Sequence, residues 1–171
     1  MKFGYAFVLS LLLTACGATV ALDYDTTTDF SIYKTYNFYP SIESGLSELD
    51  ENRITQITDS LLQQKGFEKT ETPQLLINFF ASEYISDSGS SIGIGIGGGG
   101  RNVGVGVGGD IPIGSKIVNQ HFTMDFVDAA KDDLVWQAVV DDDYKVNSTP
   151  AMKETYYTAL LQKILAKYPP K

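Results

Sequence analysis

The spacing of apolar positions changes several times along this chain, and each change predicts a different element. Residues 3–13 form an almost unbroken apolar run behind Met1 and Lys2. That run is too short to span a bilayer, which takes about 20 residues. With its positive start and the small residues Thr14 and Ala15 behind it, it reads as a secretory leader, residues 1–15. Residues 20–24 predict a short first strand. Turn-forming Asp25-Thr26-Thr27-Thr28-Asp29 follows, and Phe30, Tyr33 and Tyr36 then recur at every third position, as one tight helical turn would place them. Residues 35–39 predict a strand closed by Pro40.

A helical period begins at Ser47, placed as an N-cap with acids in the first turn and a capping partner at Asp50 or Glu51. Ile54, Ile57, Leu61 and Leu62 form its apolar stripe, and Lys65-Gly66 ends it. Residues 75–81 are apolar almost without interruption and of strand length, which predicts a central strand buried on both faces or nearly so. Residues 117–127 alternate, with Phe122, Met124 and Phe126 on one face and His121, Thr123 and Asp125 on the other. A turn at 128–133 returns the chain antiparallel along 134–140, with Asp141-Asp142-Asp143 ending the strand. Thr149 as N-cap and Pro150 at the first position open a last helix. Its stripe is Met152, Tyr156, Leu160 and Ile164, widened by Ala159 and Leu161, and Pro169-Pro170 stop it. Strands in runs with one helix early and one late predict an α+β domain, a mostly antiparallel sheet packed on one face by two helices.

Between 86 and 109 the pattern breaks. Eleven of the 16 glycines fall between Gly89 and Gly109. Ile92, Ile94 and Ile96 alternate with glycine on one arm, and Val103, Val105 and Val107 on the other. This predicts a Gly-rich hairpin or loop inserted between two strands, with β-branched side chains on one face. A flexible linker uses polar residues, whereas six aliphatic side chains in one exposed hairpin suggest a partner surface, so these six are the candidate interaction residues.

Charge narrows the functional classes. The chain carries 13 Lys and Arg against 21 Asp and Glu, a net charge of −8; removing residues 1–15 takes away Lys2 and no acid, leaving −9. Nothing here would neutralise a run of phosphates, so nucleic acid is not an expected partner. Gly93-Ile94-Gly95-Ile96-Gly97-Gly98 satisfies the formal spacing of a dinucleotide fingerprint, but no helical pattern follows and the motif repeats in overlapping registers. His121 is the sole histidine, which supports no triad. Asp132-Asp133 and Asp141-Asp142-Asp143 lie at opposite ends of one strand and match no calcium loop. No catalytic residue, cofactor or metal is expected.

Leu13-Thr14-Ala15-Cys16 resembles the bacterial lipoprotein box, with Thr14 where Ala or Ser is usual. The resemblance implies a diacylglyceryl group on Cys16, the only cysteine, removal of the residues before it and acylation of the new amino terminus. Residues 16–19 would then be the lipidated end and a short tether, with the domain from 20 to 171. Gly17, rather than Asp, implies the outer membrane. Asp23-Tyr24-Asp25, Asp29-Phe30-Ser31, Tyr33-Lys34-Thr35-Tyr36 and Trp136 together resemble the DUF4136 family of bacterial envelope lipoproteins, over residues 20–167. That implies a fold and an envelope address but no activity. The expectation is a lipid-anchored envelope protein with a structural or protein-interaction role, its partners the membrane through its lipid and another envelope protein. The alternative is a periplasmic small-molecule binder or hydrolase using Tyr33, Tyr36 and Tyr39.

Overall fold

The computed structural model describes residues 19–87, 91–92, 111–112 and 116–170. The chain runs through β1 (Val20–Tyr24), a 3-10 turn (Phe30–Ile32), β2 (Thr35–Phe38), α1 (Glu48–Gln64), β3 (Glu68–Lys69) and β4 (Leu75–Asp87). It continues through β5 (Ser91–Ile92), β6 (Ile111–Pro112), β7 (Lys116–Asp128), β8 (Asp133–Lys145) and α2 (Pro150–Leu165). Six strands form one open sheet in the order β1-β8-β7-β4-β2-β3, and β5 pairs with β6 separately. All neighbours in the large sheet are antiparallel except β2, which runs parallel to both β3 and β4. The sheet is therefore mixed, and the domain is α+β with both helices on one face.

Local chemistry accounts for the boundaries. Ser47 Oγ accepts the Asp50 N–H, and Asp50 fills the partner position, taking a hydrogen bond from the same hydroxyl at 3.0 Å. Gly66, with φ +87°, lets the chain leave α1: its N–H and that of Phe67 return to the Gln63 and Leu62 carbonyls. Thr149 caps α2 through the Met152 N–H, with Pro150 at the first position. Beyond β2 the chain keeps to the edge of β4, where the Ala81 N–H donates to the Ser44 carbonyl at 2.8 Å. Gly45 is required there. Its φ is +73°, and a Cβ would lie 2.6 Å from the Ala81 carbonyl oxygen.

The core lies between one sheet face and the helices. Tyr36, Leu75, Ile77, Phe79, Phe122, Met124, Phe126, Trp136, Ala138 and Val140 point inward against Ile54, Leu62 and the α2 stripe. The helices run side by side in the same direction. Near their starts Lys153 Nζ meets Asp50 Oδ2 at 2.5 Å and Arg53 Nε meets Glu154 Oε2 at 3.1 Å, and Arg53 also bonds Asp50. Asp50 is buried, so two cations and the Ser47 hydroxyl satisfy it where water does not.

Three sequence readings change, and the register adds a feature of its own. The strand expected at 75–81 runs to Asp87, and it is buried on one face only: Leu75, Ile77, Phe79 and Ala81 are covered while Phe80 and Tyr84 are exposed. No helix lies over the second face, so an apolar run there does not mean burial on both sides. Asp141-Asp142-Asp143 do not end β8 but lie within it, opposite His121, Gln120 and Asn119. Strand pairing continues because β7 supplies backbone partners, which outweighs the low strand preference of Asp. The buried stripe of α2 is Tyr157, Leu160, Leu161, Ile164 and Leu165; Met152 is exposed and Tyr156 sits at the border. The helix is rotated so that its wider i, i+3, i+4 face meets the sheet. Finally β8 carries one extra residue, Val135, since Phe126 pairs with Trp136 but Val127 with Leu134. The arms of the Gly-rich insertion lie outside the described residues, apart from Ile92 in β5, whose backbone pairs with Ile111.

Candidate functional site

The three long strands β4, β7 and β8 give the sheet two distinct ends. At one end are the β7–β8 turn and the starts of β2 and β4. Asp128 accepts the Tyr33 hydroxyl at 2.8 Å on Oδ2 and the Ala130 and Lys131 N–H groups on Oδ1. Burial pushes the Asp128 carboxyl upward, but those three hydrogen bonds and the Lys131 ammonium outweigh it and hold the group below the usual carboxylate range. The Tyr33 phenol is pushed up to about 12, by burial first and by the Asp128 hydrogen bond and charge second. Around this pair Phe30, Phe126, Trp136 and Tyr168 meet ring to ring, with Phe126–Tyr168 centroids at 4.6 Å and Trp136–Tyr168 at 5.3 Å. Asp29 caps the 3-10 turn through the Ser31 N–H, and Asp25 takes the Thr27 N–H and the Thr27 and Thr28 hydroxyls.

At the other end the strands overhang. β1 stops at Val20, opposite Val140, while β8 runs on to Lys145, β4 to Asp87 and β7 begins at Lys116. On the helix side of this overhang Gln120 is buried. Its Nε2 donates to Glu83 Oε1 at 2.7 Å and to the Tyr157 hydroxyl at 3.1 Å, and its Oε1 accepts from Tyr156 at 3.2 Å. Tyr144 also donates to Glu83 Oε1, at 2.8 Å. Burial, with Glu83 and neighbouring acids, raises Tyr144 and Tyr156 well above the ordinary phenol value and Tyr157 to about 12. All three are neutral at any physiological pH; Tyr144 and Tyr156 donate in this network and Tyr157 accepts.

On the helix-free side His121 Nδ1 lies 2.7 Å from Asp141 Oδ1, with Asp141 83 % exposed. The pair borders an open hollow of about 230 Å³ with Tyr84, Asn119, Gln120 and the other two aspartates. Open to water, the attraction between the two groups is screened. The two aspartate groups stand apart along β8, Asp133 at its start and Asp141 to Asp143 within its far half. Among the described residues no group of three or more His, Cys, Asp or Glu is placed to hold a metal ion. Tyr33 and Tyr36 are buried, and Tyr36 donates to Asp59 Oδ1 at 2.6 Å. Only Tyr39 opens onto a hollow, of about 430 Å³, with Ser41, Glu43, Asn78 and Phe80. Asp125, on the same sheet face, is the one described carboxyl shifted upward, by burial and against a hydrogen bond from Gln137 at 2.8 Å.

Of the residues singled out from sequence, Cys16 and the arms 94–107 lie outside the described residues, and of Ile92 only the backbone is described. The structure brings His121 to Asp141 and separates Tyr39 from Tyr33 and Tyr36. The Glu83–Gln120–tyrosine network was not foreseen. Gln120 breaks the apolar face that Phe122, Met124 and Phe126 define, and a polar residue at an inward position is the signal that could have found it.

The geometry defines an open α+β sheet with two helices on one face. The chain belongs to the family described as "Domain of unknown function (DUF4136)", whose model matches residues 20–170. No curated protein matches it. A PDZ domain protein from Parabacteroides distasonis is similar in fold, with a TM-score of 0.58, 15 % identity and 90 % of this chain covered; the chain spans 36 % of that protein's length. PelC from Paraburkholderia phytofirmans, solved as a dodecamer, gives 0.52 at 15 % identity, covering 88 % of this chain and 96 % of PelC. A minor lipoprotein from Acinetobacter baumannii gives 0.39 at 9 % identity, covering 80 % and 92 %.

Proposed function

We propose that this chain is a bacterial envelope lipoprotein, anchored by acyl chains on Cys16 and serving a structural or protein-interaction role at the membrane. The observation that carries the reading is the sequence Leu13-Thr14-Ala15-Cys16 standing four residues before the first strand at Val20. Two or three acyl chains make a stable anchor where one would be marginal, at about 0.8 kcal/mol per buried methylene. Among the described residues no helix is long and apolar enough to cross a membrane, so the lipid is the attachment proposed. Gly17 after the cysteine favours the outer membrane with the domain facing the periplasm.

The interaction role is supported by where the exposed apolar side chains lie. Among the described residues the three most exposed are Leu49 (75 %), Tyr84 (67 %) and Ile85 (61 %), and Phe80 and Leu134 stand on the sheet face that no described helix covers. The partner class is another envelope protein or a further copy of the chain; PelC assembles as a dodecamer, and self-association is the assembly to test first. Replacing Cys16 by Ser tests the anchor. The variant is expected to leave the membrane fraction for the soluble envelope fraction; a variant that stays with the membrane overturns the reading.

A further inference from the structure

The register of β1 limits how the domain stands on its membrane. Val20 pairs with Val140, and five further residues of β8, ending at Lys145, extend past it in the direction from which the chain arrives. At about 3.3 Å per strand residue that overhang is roughly 17 Å long. Cys16 is four residues before Val20. Four residues reach at most about 14 Å even when fully extended. With the strands upright on the membrane, a tether shorter than the overhang cannot lift the end of the sheet clear of the surface in which its own lipid is buried. We propose that this end, carried by Tyr84, Ile85, Lys116, Lys145 and Val146, rests in the headgroup layer of the bilayer that holds the acyl chains of Cys16. The inference rests on the lipid-anchor reading above and adds to it an orientation and a second contact.

The side chains at this end suit that layer. Tyr84 and Ile85 project from opposite faces of β4, and Val146, whose N–H donates to the Lys116 carbonyl at 3.0 Å, is exposed at the tip. Met152, in the first turn of α2, is exposed as well. Tyrosine and lysine have an apolar body and a polar tip, the form favoured at a membrane–water boundary. Glu83, Asp87, Asp141 and Asp143 stand at the same end and outnumber Lys116 and Lys145. The surface that fits is therefore a zwitterionic headgroup such as phosphatidylethanolamine; an anionic one would repel these acids.

Acylation consumes the Cys16 thiol, so Tyr84→Cys or Ile85→Cys places a single free thiol at the tip of the full-length lipoprotein. Lys131→Cys places one at the opposite, exposed end. Each variant would be labelled with a bimane probe and reconstituted in phosphatidylethanolamine-rich vesicles containing lipid that carries a headgroup spin label. Loss of emission at 84 and 85 with none at 131 is the expected result. Emission retained at 84 and 85 while the acylated protein stays on the vesicles overturns the orientation and leaves the anchor standing. Absence of acyl mass on Cys16 overturns both. Self-quenching of the probes at 84 or 85 that rises with protein density and ignores the spin label means that a second copy covers the tip, and also overturns the inference.

Discussion

The two ends of the sheet are made by the same three strands and use their aromatic residues in opposite ways. At the β7–β8 turn Phe126, Trp136 and Tyr168 are fully enclosed, and the one buried carboxylate there, Asp128, is bonded by Tyr33 and by two backbone N–H groups. At the overhang Tyr84 stands in solvent, Ile85 lies beyond the helices, and the His121–Asp141 pair is open. Burial of aromatic area stabilises a fold; exposure of it costs nothing to stability and leaves a surface for contact. The closed end therefore holds the fold together, and the overhang leaves apolar surface exposed.

Substitutions at the two ends should separate these roles. The largest expected effect is Trp136→Ala, which empties the centre of the closed end and should destabilise the domain by about 3–5 kcal/mol in urea unfolding. A change under about 1 kcal/mol would mean the hub is not what holds that end. Tyr33→Phe comes next, at about 1–3 kcal/mol, because it leaves buried Asp128 one donor short. Its pH dependence sharpens the test. Asp128 is held below its unfolded pKa, so its contribution is present above the unfolded value and is lost as pH falls through the folded one. Removing the Tyr33 hydroxyl raises the folded pKa, and the variant should lose stability at a higher pH during acid unfolding than the parent.

Asp125 has the opposite sign. Its carboxyl is raised by burial, so its protonated form is favoured in the fold, and that contribution is lost as pH rises through the folded pKa. Asp125→Asn keeps an acceptor for Gln137 and should raise the melting temperature at pH 7 while leaving it unchanged well below pH 4. The smallest effect belongs to the overhang: Ile85→Ser should change stability by no more than about 0.5 kcal/mol, as exposed sites do. A larger loss would show that the overhang is part of the core and would collapse the contrast between the ends.

Elements governed by local chemistry were legible in the sequence. Ser47 and Thr149 cap their helices, Gly66 ends the first, and the Phe122–Met124–Phe126 face is buried as its alternation requires. What could not be read was set by neighbours distant in sequence. Leu76 and Phe80 look like core in a continuous apolar run, but no helix arrives to cover their face. The aspartates 141–143 look like a strand end, yet β7 pairs with them. Tyr156 and Met152 share the i, i+4 spacing of a stripe, but the sheet surface selects Tyr157 and Leu165 instead. The overhang was invisible for the same reason: it exists only because β1 meets β8 at Val140 and no further along.

The mass of the amino-terminal peptide of the membrane-bound protein tests the account most directly. The account predicts a peptide that begins at Cys16 and carries diacylglycerol and amide-linked acyl mass. A peptide that begins at another residue, or a Cys16 with a free thiol in protein that still fractionates with the membrane, would contradict it.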